Sequence, residues 1–263
     1  MLGKDDIMRM AGQKRLNPSA ISKDYALGWL LFGISKSSIG NNLVFKGGTA
    51  LSKVYFPEGW RLSEDLDFTL IGDIDPKTLE KALKEEVPKL VKDATGMDVV
   101  LKDRPHSNVG YLTSRFQYDG PLGKDTIKIE ITSEEVTGEP HTEKMPKMLD
   151  YPAFDVRVYS LDEILAEKMR AIIQRAKIRD YYDVWKLLKT QRFDREKVRA
   201  LFLEKCKSKG VAFRGVDQFF PDGIAKTLEP YLETGLARLS SEKIPPLDDM
   251  MIELKKLLEK FLK

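Results

Sequence analysis

The sequence predicts an α+β chain in two parts, strands and helices over residues 1–155 followed by an all-helical stretch over 156–263. Three observations point there. Short apolar runs bounded by turn residues fill the first part: Leu43–Lys46, Leu66–Leu70, Met97–Lys102, Tyr111–Tyr118 and Thr126–Thr132. Helical spacing of apolar residues takes over from Tyr159 and persists to the C-terminus. Between them, Glu134–Pro152 is polar and broken by Pro140, Pro146 and Pro152, which reads as a connecting loop with His141 on its surface.

The helices follow from local signals. Residues 1–20 are polar and basic, and Pro18 precedes a helix carrying Ile21, Leu27, Leu30, Leu31 and Ile34 on its packing face. Pro76 suits a first helical position, and Leu79, Leu83, Val87, Leu90 and Val91 extend that helix to about Ala94, where Gly96 stops it. Turns are expected at Asp119-Gly120 and Gly123-Lys124. Ser160 and Glu163 form a capping box for a helix whose stripe is Leu161, Ile164, Leu165 and Ile172. Helices are expected again over Phe193–Cys206, Gly223–Leu239 and Leu247–Phe261, the last set off by Pro245-Pro246. No internal repeat is present.

Composition narrows the chemistry. With 263 residues, 42% hydrophobic and 32% charged, the chain can bury a sizeable core. Cys206 is the single cysteine and His106 and His141 the only histidines, so disulfides, a cysteine zinc site and a Ser-His-Asp mechanism are poorly supplied. No segment approaches membrane-spanning length, and the first residues have no apolar signal core, so no membrane partner and a cytoplasmic location are expected. The net charge of +3 is small, yet Lys177–Arg214 holds twelve Lys/Arg against five Asp/Glu. That excess suits either a solvated helical surface or an RNA-facing one.

The chemistry concentrates between Phe45 and Phe68. Gly47-Gly48-Thr49 follows an apolar strand and opens a helix, where backbone N–H groups can turn toward a phosphate with no Cβ in the way. Asp65 and Asp67 are two apart on a strand and so share a face, opposite Leu66, Phe68 and Leu70. Two carboxylates on one face repel, and a divalent cation with a preference for hard oxygen ligands, Mg²⁺ or Mn²⁺, removes that penalty. Ser63 stands just before the acids on the same strand face as Asp65, placed to touch phosphate or metal-bound water as a catalytic candidate, and Lys46 and Lys53 bracket the glycine turn. Lys46, Gly47, Gly48, Thr49 and Lys53 are the candidate nucleotide-binding set.

The segments KGGTALSKVY and RLSEDLDF resemble the AbiEii/AbiGii-type nucleotidyltransferases of prokaryotic toxin–antitoxin and abortive-infection systems. These belong to the DNA-polymerase-β-like superfamily, whose signature is Gly-Gly-Ser/Thr, a spacer, then Asp-x-Asp. Fifteen residues separate Thr49 from Asp65, slightly more than the general superfamily spacer. LDEILAEKMRAIIQRAKIRDYYDVWKL resembles the family's second signature, and the likeness covers about Ile21–Leu188. The resemblance implies a polymerase-β-like lobe with a mixed sheet flanked by helices, followed by a helical lobe. It implies Asp65 and Asp67 as metal-holding catalytic acids, Glu130 as a third carboxylate, and Lys168 and Asp180 facing the active cleft. Arg179 and Asp183 flank Asp180, with Asp183 a possible partner of Arg179. An NTP would lose pyrophosphate as its nucleoside monophosphate moves to a hydroxyl, often on the 3′ end of tRNA, and a cognate antitoxin would be a partner. The same residues would serve a protein or small-molecule acceptor. A non-catalytic nucleotide-binding module is the remaining alternative, which intact Asp65, Asp67 and Lys168 speak against. Lys168 lies on an apolar stripe, so Lys168→Met is expected to fold at least as stably as the parent.

Overall fold

The computed structural model describes residues 1–102, 106–108, 110–133, 138–146 and 150–263, with the backbone alone at 106–108. The chain divides into two compact units, Met1–Val136 with Pro140–Tyr159 and Thr137–Glu139 with Ser160–Lys263.

The first unit is built on a mixed sheet of eight strands. These are β1 (Leu43–Lys46), β2 (Asp65–Leu70), β3 (Val99–Leu101), β4 (His106–Asn108), β5 (Tyr111–Gly120), β6 (Gly123–Thr132), β7 (His141–Met145) and β8 (Phe154–Val158). The spatial order is β3-β5-β6-β2-β1-β8-β7, with β4 beside β5. The pairs β2/β6 and β1/β8 are parallel and the others antiparallel. Strand alternation divides the sheet as the sequence predicts. Phe45, Leu66, Phe68, Ile127, Ile129, Ile131 and Phe116 are buried on one face, where the tilted rings of Phe45 and Phe68 pack across β1 and β2 with centroids 5.3 Å apart.

Helix α2 (Pro18–Lys36) covers that apolar face, lying against β2, β5, β6 and β8. It starts where Asn17 accepts from the Ser19 N–H, with Pro18 in the first turn. Its buried set is wider than one stripe because α1 (Lys4–Lys14) and α5 (Val87–Thr95) pack on its other sides. The segment 76–95 is helical throughout, as α4 (Pro76–Lys81), a wide π-type turn Ala82–Glu86, and α5. Asp75 caps its start by accepting from the Thr78 N–H. The 4-residue α3 (Gly47–Ala50) likewise runs on as a wide turn, Leu51–Tyr55.

Two expectations are corrected. The N-terminal 1–20 is not merely polar, since α1 buries Ile7 and Ala11. The connection Glu134–Pro152 is not all loop, since His141–Met145 pairs with β8; its residues 134–137 and 147–149 lie outside those described. The edge strand escapes notice because its alternate residues are polar and Pro140 and Pro146 flank it closely. β8 is easily passed over because it is only five residues long, although Phe154, Val156 and Val158 alternate with Asp155 and Arg157 in the period of a half-buried strand.

The second unit is helical: α6 (Leu161–Arg175), α7 (Ile178–Thr190), α8 (Arg195–Ser208), α9 (Ile224–Leu228) and α10 (Leu247–Leu262). Ser160 caps α6, accepting from the Glu163 N–H. The Glu163 carboxylate lies 2.9 Å from the buried Lys205 ammonium. Gly223–Leu239 is broken rather than one helix: α9 gives way to a wide turn Leu232–Leu236 and a tight turn Ala237–Leu239. Among the described residues no helix is long and apolar enough to cross a membrane.

Candidate active site

The polar face of the sheet gathers charge in a regular pattern. Asp67 of β2 lies between Lys46 of β1 and Glu130 of β6 in register, and Asp65 lies opposite Lys128. Because the strand period is two, all five side chains belong to one face. The structure therefore brings Asp65, Asp67 and Glu130 to neighbouring positions and interleaves them with two lysines.

The side chains are not equally available. Glu130 accepts from the Tyr111 hydroxyl at 2.8 Å and is bonded by the Lys128 ammonium. Burial opposes ionisation of Glu130, but the Lys128 and Tyr111 hydrogen bonds outweigh it and hold the carboxyl below the usual glutamate value. Among the described residues no three His, Cys, Asp or Glu side chains stand as a metal-ligand group. The expected triple is adjacent in register, and Glu130 is also held by a side-chain hydrogen bond with Asp67 beside those from Lys128 and Tyr111. Neither of these was singled out from the sequence, and the i, i+2 spacing of Lys128 and Glu130 was the available signal.

The glycine turn is fitted to the acids. Gly47 has φ of 77°, and a Cβ there would come within 2.5 Å of the Asp67 Oδ2. A Cβ on Gly48 would lie 2.9 Å from the Arg61 guanidinium and 3.3 Å from the Ser63 hydroxyl. The two glycines are there because the carboxylate and the guanidinium approach the backbone too closely for a side chain. Arg61 is buried and donates to the Leu62 carbonyl at 3.1 Å. Ser63 is buried beside it, but β2 begins at Asp65, so Ser63 precedes the strand rather than sharing its face. Such a cradle of hard oxygen donors and bare backbone fits a divalent cation with a polyphosphate.

Three members of the nucleotide-binding set are engaged by protein groups. The Thr49 hydroxyl is buried and donates to the Asp65 carbonyl, so it ties the glycine turn to β2 rather than facing a phosphate. Lys53 is corrected outright. The wide turn Leu51–Tyr55 points it at α2, where it lies 2.7 Å from the Asp24 carboxylate and 2.8 Å from the Asp24 carbonyl with 1% exposure. Burial opposes its charge, but Asp24 more than restores it, and the pKa is raised. Lys46 is also buried, donating to Thr132 at 3.1 Å with its ammonium 5.6 Å from the Tyr159 ring centroid. His141 lies 3.1 Å from the Tyr55 hydroxyl and 3.1 Å from Glu143.

In the helical unit Lys168 is buried on α6, as its stripe position requires, and it has protein partners. Its ammonium lies 2.7 Å from Asp183 and 3.2 Å from Asp180 on α7. Arg175 holds Asp180 by two hydrogen bonds, 2.8 and 3.1 Å. Burial would raise the Asp180 pKa, but the Lys168 charge and the Arg175 bond pull it down to about 2. Asp183 therefore pairs with Lys168, a partner that sequence spacing did not offer, since it pointed to Arg179. Part of the basic excess over Lys177–Arg214 is likewise matched within the unit. Lys186 pairs with Glu242, Lys189 with Glu253, Lys197 with Asp162 and Lys205 with Glu163.

These features define a nucleotidyltransferase: a mixed sheet bearing a glycine turn beside paired aspartates, followed by a helical unit. Residues 29–259 match the family described as nucleotidyl transferase AbiEii toxin, type IV toxin–antitoxin system, and the chain belongs to that family. Its fold is similar to MenT4, a nucleotidyltransferase toxin from Mycobacterium tuberculosis H37Rv, at 20% identity and a TM-score of 0.75, covering 100% of this chain and 90% of that one. JHP933 from Helicobacter pylori is similar at 19% identity and a TM-score of 0.59, over 94% of this chain and 93% of that one. No curated protein matches the sequence. The chain is accordingly a nucleotidyltransferase toxin of the type IV toxin–antitoxin class, which implies an NTP and an antitoxin as partners; enzymes of this kind generally use a divalent metal.

Proposed function

We propose that the chain moves a nucleoside monophosphate from an NTP to a hydroxyl on RNA, the 3′ end of tRNA being the favoured acceptor, with pyrophosphate leaving. Mg²⁺ is the proposed metal. The observation that carries the reading is the close fit of Gly47 against Asp67, with Asp65 and Glu130 on the same sheet face. Asp65 and Asp67 would hold the metal, which when bound neutralises triphosphate charge and favours ionisation of the acceptor hydroxyl. The Gly47-Gly48 backbone receives the phosphates, which no side chain blocks. Arg61 and Ser63, packed against Gly48, fix that backbone. Lys128 balances the carboxylates, and Glu130 joins them once Lys128 yields. Lys168 is assigned to the phosphate charge that grows during transfer, and Asp180 is its orienting partner.

The test is incubation with purified tRNA and each of the four labelled NTPs in turn, followed by RNase. Label on tRNA that RNase releases is the expected result, absent in Asp65→Ala and Asp67→Ala. Label that survives RNase on a protein band would overturn the RNA acceptor. No labelled product with any NTP would overturn the transfer reading itself.

A further inference from the structure

Where the end of α7 meets the start of α8 and the last turns of α10, the helical unit holds a cavity of about 350 Å³. That is within the range of ligand pockets, about 300–1,000 Å³. Half-buried Leu188, Phe193, Leu257 and Phe261 give it an apolar lining. Phe193 and Phe261 meet edge to face, with centroids 6.4 Å apart. Arg192, Arg195 and Lys260 stand around them, all three exposed. Among the described residues no acid lines the cavity.

The positive charge here is not consumed within the unit. Among the described residues Arg192 and Lys260 have neither an ion pair nor a side-chain hydrogen bond. Arg195 donates one bond, at 3.3 Å, to the neutral Phe261 carbonyl. The nearby acids are occupied elsewhere: Asp194 caps α8 by accepting from the Lys197 N–H, and Glu259 acts on Lys255. The C-terminal ends of α7 and α10 contribute about half a negative charge each, and the start of α8 about half a positive one. Three full cations therefore remain in clear excess. Lys186, Lys189, Lys197 and Lys205 are matched by acids, so Arg192 and Arg195 carry part of what is left of the basic excess over Lys177–Arg214. Lys260 reinforces them from α10.

We propose that this cavity grips the acceptor RNA on a single-stranded stretch, with a backbone phosphate on Arg192 and Lys260 and a base against Phe193. The inference rests on the reading that the acceptor is RNA, and it adds where that RNA is held. Cations alone would suit any polyanion; the two half-buried rings between them select a flat base joined to a phosphate. The planar Arg192 fork matches two phosphate oxygens at once, and Lys260 adds a point charge. Every base has a flat face, so the grip is on strand form rather than sequence.

The experiment measures binding of a short fluorescein-labelled single-stranded RNA by anisotropy at several salt concentrations, in the parent, in Arg192→Ala with Lys260→Ala, and in Phe193→Leu. The two cations are exposed and leucine keeps Phe193 apolar, and a thermal melt confirms that each variant is folded. The double alanine variant should reduce the slope of log affinity against log salt by about one to one and a half. Phe193→Leu should leave that slope unchanged and weaken binding about three- to fivefold. Poly-glutamate, an anion without bases, should displace the RNA from the parent at least about tenfold less well than unlabelled RNA does. A parental slope in the double variant would overturn the inference, as would parental affinity in Phe193→Leu. Equal displacement by poly-glutamate would overturn it too, marking a site for acidic protein segments. Failure here leaves RNA labelling by the parent untouched, whereas a parent that labels no RNA in the transfer assay sinks the acceptor reading independently.

Discussion

Lys168→Met separates an ion network from an isolated lysine. On sequence grounds this variant should fold as well as the parent, because a methionine suits an apolar stripe. The structure reverses the sign. Lys168, Asp180 and Asp183 form a buried group of one cation and two anions, half-exposed Arg175 reaches Asp180 from outside it, and Lys168 is the member that touches both aspartates. Asp180 and Asp183 have 2% and 0% side-chain exposure, so water does little to replace the lost ammonium. Removing one partner of a buried pair typically costs about 3–5 kcal/mol, against about 1 kcal/mol for a surface pair. A shift of that size corresponds to roughly 10 °C in melting temperature for a chain this long. Urea denaturation followed by circular dichroism gives the number directly. Lys168→Met with Asp183→Leu, which removes one anion along with the cation, should recover a good part of the loss. An unchanged urea midpoint in Lys168→Met alone would refute the reasoning, and Lys168 would then be a solvated side chain.

Three further outcomes are expected. Asp180 has its pKa lowered from 3.8 to about 2, so it stabilises the fold above pH 4 and that contribution, about 2 kcal/mol, is lost as pH falls from 4 to 2; acid titration of stability should be steeper in the parent than in Asp180→Asn over that window. Gly47→Ala places a Cβ 2.5 Å from Asp67 at positive φ, so it should cost roughly 1–2 kcal/mol in stability but about a hundredfold in transfer by displacing the carboxylate; equal transfer rates would show that Asp67 is not held by this fit. Lys128→Met frees Glu130 from a competing cation, and Mn²⁺ affinity measured by electron paramagnetic resonance should tighten about two- to fivefold, the range of a partly exposed ion pair; weaker Mn²⁺ binding would mean that Lys128 supports the site rather than competing in it.

What the sequence made legible was whatever depends on near neighbours. The two-residue period put Asp65, Asp67 and Glu130 on the polar face, the glycine pair announced the turn, and Ser160 announced α6. What it concealed were partners far along the chain. Lys53 looks like a phosphate ligand until α2 brings Asp24 against it, 29 positions away. Lys186, Lys189, Lys197 and Lys205 look like a basic surface until Glu242, Glu253, Asp162 and Glu163 are folded beside them. A charge count over a window sees none of these acids. Short edge strands such as His141–Met145 fail for another reason: with one side unpaired they need little apolar alternation to form, so they leave little in the sequence.

The bond from the Thr49 hydroxyl to the Asp65 carbonyl has a consequence for the segment it closes. The fifteen intervening residues do not act as a ruler that measures the distance from the glycine turn to the first aspartate. Their two ends are fastened directly to each other, and the sheet pairing of Lys46 with Asp67 fastens them a second time. Closing a longer loop costs only about 0.6 kcal/mol for each doubling of its length. The excursion through Pro57, Glu58 and Gly59 can therefore lengthen or shorten while the glycine turn and the carboxylates keep their separation. A signature of this kind is better searched for by its two anchored ends than by a fixed gap between them.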